Sequence, residues 1–337
     1  HPRQIFSTGS RESLKNTDRK TMLDFYGRHY SANRMKLVMM SATPIDQMET
    51  LARNIFSPIK NTNVLASRPS SQLYDPADLP RLIKVKPVKD LRQLRLSFAA
   101  PTEDPYWHSK PTGLISFLIG HEGEGSLLSL LKEENLALGL SAGFDNERYV
   151  GEFEINVDLT DKGLKNPKKI IDHFFSYIKL QKQEGLKDQL FKEVQSLSQI
   201  SYDFREHSEG GRVASNYASL MQRHHPLGIE LNTKLYYHFK PENFQFFLSY
   251  ITPQNMNAFL VSKKVDTDKT EEIYGTKYKV EKFSDEDIKR WKNPKTNTAL
   301  HYPEKNPYIP SNFNILKQDY LAAPVKIIDT KRAKVWF

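Results

Sequence analysis

The sequence predicts an α+β fold, a mixed sheet with helices packed on it, and three patterns lead there. Leu94, Leu96 and Phe98 alternate with polar residues, as do Phe153, Ile155 and Val157, which is the two-residue period of a half-buried strand. Ile170, Phe174, Tyr177 and Ile178 recur at helical spacing, and so do Leu186, Leu190, Val194 and Leu197. These segments follow one another without strict strand–helix alternation, so the class is α+β.

Taken in order, residues 11–32 read as a helix closing on the Tyr30-Ser31-Ala32-Asn33 turn, with Met22, Phe25 and Tyr26 on one face. Met35–Met40 is an apolar run of strand length. Thr43 offers an N-cap, Pro44 a first helical position and Asp46 a carboxylate for the positive end of the helix, with Ile45, Met48, Ala52 and Ile55 following at helical spacing. Residues 60–80, rich in Asn, Ser and Pro, read as an interdomain linker. Strands are expected around Ile83–Val85 and Leu94–Phe98. A helix is expected over Pro111–Gly120, with Leu114, Phe117 and Leu118 inward, and a second carries Leu127, Leu128, Leu130 and Leu131. Leu138–Phe144 and Tyr149–Leu159 read as strands, residues 205–250 as helical pieces and Met256–Val261 as a further strand. From Asp285 the chain turns Pro-rich and is expected to be extended.

At 337 residues the chain exceeds a typical single core, so two domains, or one and a half, are expected. The absence of cysteine excludes disulfides, thiolate catalysis and cysteine-ligated metals. No apolar run reaches the roughly 18–20 residues of a membrane span. The net charge of +9 raises the question of nucleic acid, but Lys and Arg are interspersed with Asp and Glu and no nucleic-acid motif stands out. Neither nucleic acid nor membrane is an expected partner.

Metal ligands on one helix face would need H-E-x-x-H or H-x-x-E-H, and none of the ten histidines falls in either. His121-Glu122 runs into glycines, and the side chains of adjacent His224-His225 diverge on a helix. There is no G-x-S-x-G elbow. Gly120-His121-Glu122-Gly123-Glu124-Gly125-Ser126 is glycine-rich but lacks the G-K-[ST] of a phosphate loop; its plain reading is a tight connection with Ser126 capping the next helix. Gly139, Ser141, Ala142 and Gly143 put small residues in a strand, which suggests close approach by another backbone. Either the sheet bends over its neighbour there, or an extended peptide adds to an open edge.

Phe117–Leu131 resembles a segment of the pitrilysin/insulin-degrading-enzyme family of zinc peptidases. Other blocks agree in the same order: His1-Pro2, Phe6–Gly9, Tyr30–Asn33, Val85–Asp90, Asn156–Thr160, Tyr274–Tyr278, Asn306–Pro310, Pro324–Asp329 and Val335–Phe337. The resemblance spans the whole chain. It implies a zinc metalloendopeptidase about three times this length, whose two halves close around a chamber that degrades peptides. In the family the H-x-x-E-H motif and its downstream Glu ligand precede the His-Pro of residues 1–2. No catalytic or metal residue is therefore carried over, and Zn(2+) is expected in the full-length parent, not in this chain.

The resemblance carries over an exosite that holds a substrate's amino terminus by strand addition. It falls on Phe117, Gly120, His121, Glu122 and Gly123, and on Leu140, Ser141, Ala142, Gly143 and Phe144. Two departures bear on it: the family often has His where Phe117 stands, and Gly-Gly where this chain has Ala142-Gly143. Residues 1–67 are then expected to be the tail of the first domain, 68–315 the second, inactive peptidase-like domain, and 316–337 the start of the linker between halves. Expected partners are extended peptides of modest length and the rest of the parent chain, with a homodimer of the parent as a further assembly. The blocks at Leu159–Gly163 and Asn306–Pro310 favour a periplasmic location; the His121-Glu122-Gly123 segment favours the insulin-degrading branch and leaves a cytoplasmic one as the alternative. The competing function is a stand-alone, non-catalytic peptide-binding or scaffold protein of the same fold.

Overall fold

The computed structural model describes residues 8–68, 72–206, 208–224, 234–314 and 323–336. The chain forms two compact units, 1–305 and 306–337. The larger is built on a seven-stranded mixed sheet of order β3-β4-β2-β5-β1-β7-β6, where β1 is Arg81–Lys86, β2 Arg92–Ala100, β3 Ala137–Asn146, β4 Gly151–Leu159, β5 Met256–Ser262, β6 Lys269–Thr270 and β7 Lys277–Lys282. Among the described residues only β1 and β5 run parallel; the other pairings of this sheet are antiparallel.

Helices cover one face of this sheet. They include α4 (Pro111–Ile119), α5 (Leu127–Glu133), α7 (Pro167–Glu184), α8 (Asp188–Asp203), α10 (Pro241–Leu248) and α11 (Asp285–Lys292), with a short α6 (Asp161–Lys165) and α9 (Gly210–Leu220) between them. Leu94, Leu96 and Phe98 of β2, Phe153, Ile155 and Val157 of β4, and Ile170, Phe174 and Tyr177 of α7 are all buried in one core. The alternation read in the sequence is thus the division between this core and the opposite sheet face, where Arg95, Glu154 and Asn156 are partly exposed while Ser97, Glu152 and Asn257 are buried. Ser126 accepts from the Ser129 N–H at 3.1 Å and caps α5, as its position before an apolar run suggests.

Four features differ from expectation. Met35–Met40 forms no strand, because no neighbouring segment pairs with it. The helix after Thr43, α3 (Ile45–Phe56), begins one residue late: Pro44 is its N-cap and no side chain caps it. Asp285–Lys292 is helical rather than extended, because Ser284 caps it by accepting from the Asp287 N–H at 3.2 Å and Trp291 anchors it in the core ahead of Pro294. Within the stretch read as a linker, residues 72–79 pack against the sheet end: the Tyr74 hydroxyl donates to Glu152, and Pro76–Asp78 makes one 3₁₀ turn. The helical reading of 205–250 holds for α9 and α10, while 225–233 lies outside the described residues.

The amino-terminal helices α1 (Arg11–Leu14), α2 (Arg19–His29) and α3 bury no residue. Met22, Phe25, Ile45 and Ile55 are at least half exposed. The smaller unit contributes a two-stranded antiparallel hairpin, β8 (Lys326–Asp329) with β9 (Lys334–Trp336).

Candidate functional site

Both parts of the expected site meet at one corner of the sheet. Among the described residues β3 pairs with β4 on one side and with no strand on the other, so it is an edge strand there. Every second residue of such a strand turns its N–H and C=O away from the sheet, a template for another chain. β3 is ten residues long and contains no Pro, so two common ways of blunting an edge are missing.

The side chains of β3 alternate between two settings. Leu140 is buried, Ala142 lies against the end of α4 beneath Gly120, and Phe144 packs on Phe153 and Phe247 with ring centroids 4.7 and 6.0 Å away. These three belong to the helical side and can serve a ligand only through their backbone. Gly139, Ser141 and Gly143 fall on the open face. A Cβ placed on Gly143 would meet nothing within 4 Å, and one on Gly139 would meet only Asp158 Oδ2 at 3.5 Å. The edge is therefore bordered by a shallow row of small residues. A bulge between Ala137 and Gly139 turns Leu138 outward, 64% exposed. Apolar/polar reading of Leu138–Phe144 could not find this bulge, because it breaks the period on which the reading depends.

The far end of β3 is pinned. Arg223 donates to the Asn146 carbonyl at 2.7 Å and grips Asp104 through Nε and Nη2, and the Asn146 side-chain amide donates to Asp104 at 2.9 Å. A forked guanidinium on a carboxylate fixes orientation as well as distance.

The 120–126 loop adjoins β3 because α4 ends at Gly120. Phe117 is half-buried and meets His121 edge-on at 5.9 Å. The Gly123 N–H donates to His121 Nδ1 at 3.1 Å. Burial pushes the His121 pKa below the ordinary value, although Glu122 and Glu193 pull the other way. Accepting the Gly123 N–H requires an unprotonated Nδ1, which agrees with the lowered pKa. The ring also lies over Gly123, where a Cβ would come within 2.7 Å of Cε1. Glu122 is exposed, 4.0 Å from Lys132. Gly125 has φ +77°, and His301 closes over it by donating its N–H to the Gly125 carbonyl at 3.0 Å.

Among the described residues, no three His, Cys, Asp or Glu side chains converge as metal ligands. With H-x-x-E-H also absent from the sequence, these residues do not fit a zinc site.

A family model described as the peptidase M16 inactive domain matches residues 16–197, more than half the chain. The chain belongs to the peptidase M16 family. A second model, the middle or third domain of peptidase M16, matches residues 202–337. The chain is 34% identical to insulin-degrading enzyme of Bos taurus over 350 residues, covering 100% of itself and 34% of that protein. It is 31% identical to the A-factor-processing enzyme of Saccharomyces cerevisiae, with coverage of 100% and 34%, and 30% identical to nardilysin of Rattus norvegicus, with coverage of 100% and 31%. It superposes on the crystal structure of pitrilysin with a TM-score of 0.87 at 27% identity, covering 100% of this chain and 37% of that one. The chain spans about a third of the length of the curated relatives it matches. Among the described residues, no helix of this M16 chain is long and apolar enough to cross a membrane.

Proposed function

We propose that this chain is the substrate-anchoring, non-catalytic part of a zinc metalloendopeptidase that degrades peptides in a closed chamber. The observation that carries it is the open edge of β3 beside the Gly139–Ser141–Gly143 row. An extended peptide docks there as an eighth strand. Main-chain hydrogen bonds supply affinity without demanding a sequence, and Gly120, His121, Glu122 and Gly123 receive the peptide's amino-terminal end. Phe117 and His121 flank that end; Leu140, Ser141, Ala142, Gly143 and Phe144 contribute backbone.

The sheet face opposite the helices forms part of the chamber wall. In this reading residues 1–67 are the tail of the catalytic domain, 68–315 the inactive domain and 316–337 the entry to the linker. The exposed apolar face of α2 and α3 supports that assignment, since contiguous apolar surface marks a missing neighbour. Zinc, a Glu general base and the attack on the scissile carbonyl belong to the rest of the parent. The Leu159–Gly163 and Asn306–Pro310 blocks support a periplasmic location, with a cytoplasmic one as the alternative.

The test is titration of an extended peptide into the 337-residue chain, together with a copy N-methylated at alternate amides. The unmodified peptide is expected to bind and the methylated one to lose at least about tenfold in affinity, roughly 1.4 kcal/mol. Equal affinities would exclude strand addition. The purified chain is expected to show no chelator-sensitive peptide cleavage. The stand-alone alternative is separated by the coding sequence ahead of residue 1: an H-x-x-E-H there supports the peptidase, and its absence supports the non-catalytic protein.

A further inference from the structure

Away from β3, a cleft of 460 Å³ opens between the carboxyl-terminal half of α7, the end of α11 and the 252–254 turn leading into β5. Ile178, Ile251 and Trp291 form its apolar floor, and Lys179, Lys182 and Lys292 stand around it. No Asp or Glu lines it. Three carboxylates on the same two helices are engaged elsewhere. Asp172 accepts from Arg290 at 2.7 Å and from the Trp291 indole N–H at 2.6 Å, Asp287 pairs with Lys168, and Glu184 with Lys187.

Two of the lysines meet neutral acceptors instead. Lys179 donates to the Pro294 carbonyl at 3.0 Å and to Thr296 Oγ1 at 3.2 Å, and Lys182 donates to the Ile251 carbonyl at 3.2 Å. Among the described residues none of the three lies in a salt bridge with a carboxylate. Much of the Lys182 chain is open to water, but its ammonium is tucked against that carbonyl, and burial of this end pulls its pKa down. A cation held so is relieved by an incoming anion. The carboxyl end of α11 opposes this with about half a negative charge, against three positive ones.

We propose that this cleft binds a small phosphate-bearing anion. Lysine ammoniums are compact point charges that suit the tetrahedral array of phosphate oxygens, whereas forked recognition of a planar carboxylate favours arginine. The concave shape and apolar floor fit a small molecule rather than a flat anionic surface. The site is separate from the strand-adding edge and stands whether or not peptides bind there.

Calorimetric titration of the 337-residue chain with inorganic triphosphate at low salt tests the assignment, with citrate as the carboxylate comparison. Triphosphate is expected to bind at least about tenfold tighter than citrate and to weaken as salt rises. The double variant Lys179→Gln/Lys292→Gln is expected to lose at least about tenfold in triphosphate affinity while its circular dichroism is unchanged. Lys182→Gln serves as a second, independent variant with the same expected loss. Lys132→Gln, on α5 beside Glu122, is the control and should bind as the parent does. Absence of triphosphate binding, citrate binding of equal strength, or equal binding by folded Lys179→Gln/Lys292→Gln and Lys182→Gln would each overturn the assignment.

Discussion

Asp287 is a buried carboxylate whose partners favour its charged form. Burial works against its charge, yet hydrogen bonds from Lys168 at 2.6 Å, Ser284 at 2.8 Å and Arg290 at 2.9 Å win and bring its pKa down to about 2. The folded value lies below the unfolded one of about 3.9. Its contribution is therefore fully present above pH 4 and is lost as pH falls through about 2, and it amounts to roughly 2 kcal/mol. Asp287→Asn is expected to lower the melting temperature at pH 7, with the gap to the parent narrowing between pH 4 and 2. A constant gap across that range would contradict the pairing. Gly125 is a second residue-scale test. It sits at φ +77° under His301, so Gly125→Ala is expected to cost about 1–2 kcal/mol from the left-handed backbone alone, measured by denaturant unfolding. Ser126 as a helix cap was legible because its mechanism is local. The Asp287 partners were not, since Lys168 lies 119 residues away in sequence.

At the scale of elements, the alternating strands β2 and β4 and the amphipathic α7 and α8 stood out in the sequence because burial on one face imposes a period. What the period cannot give is strand order. That β3 lies at the edge follows from all the pairings of the sheet, and the small residues in Leu138–Phe144 allowed either a bend or an open edge until that order was known. Met35–Met40 had strand composition but lacks a partner, and α11 was hidden behind the prolines that follow it. The edge reading leads to a direct test at Gly143. A Cβ there enters open space, so the ring of Gly143→Trp projects beside the edge and not into the core. The variant is expected to melt within a few degrees of the parent and to bind an extended peptide at least about tenfold more weakly. Unchanged affinity in the folded variant would remove Gly143 from the site.

At the scale of the whole molecule, the buried core around α7 and the sheet contrasts with the amino-terminal helices. Ile45 is 80% exposed and Ile55 60%, and neither α2 nor α3 buries a residue. Exposed apolar faces of this kind drive association. The 337-residue chain is expected to self-associate in sedimentation experiments, and Ile45→Ser/Ile55→Ser to reduce this without lowering the melting temperature, because neither side chain supports the core. Retained association in that variant would place the contact elsewhere.

The most direct test of the anchoring role is amide hydrogen exchange across Ala137–Asn146 with and without a bound extended peptide. Strand addition is expected to slow alternate amides of β3, those turned away from β4, more than any others in the sheet. Peptide binding that slows amides elsewhere and leaves β3 unchanged would contradict it.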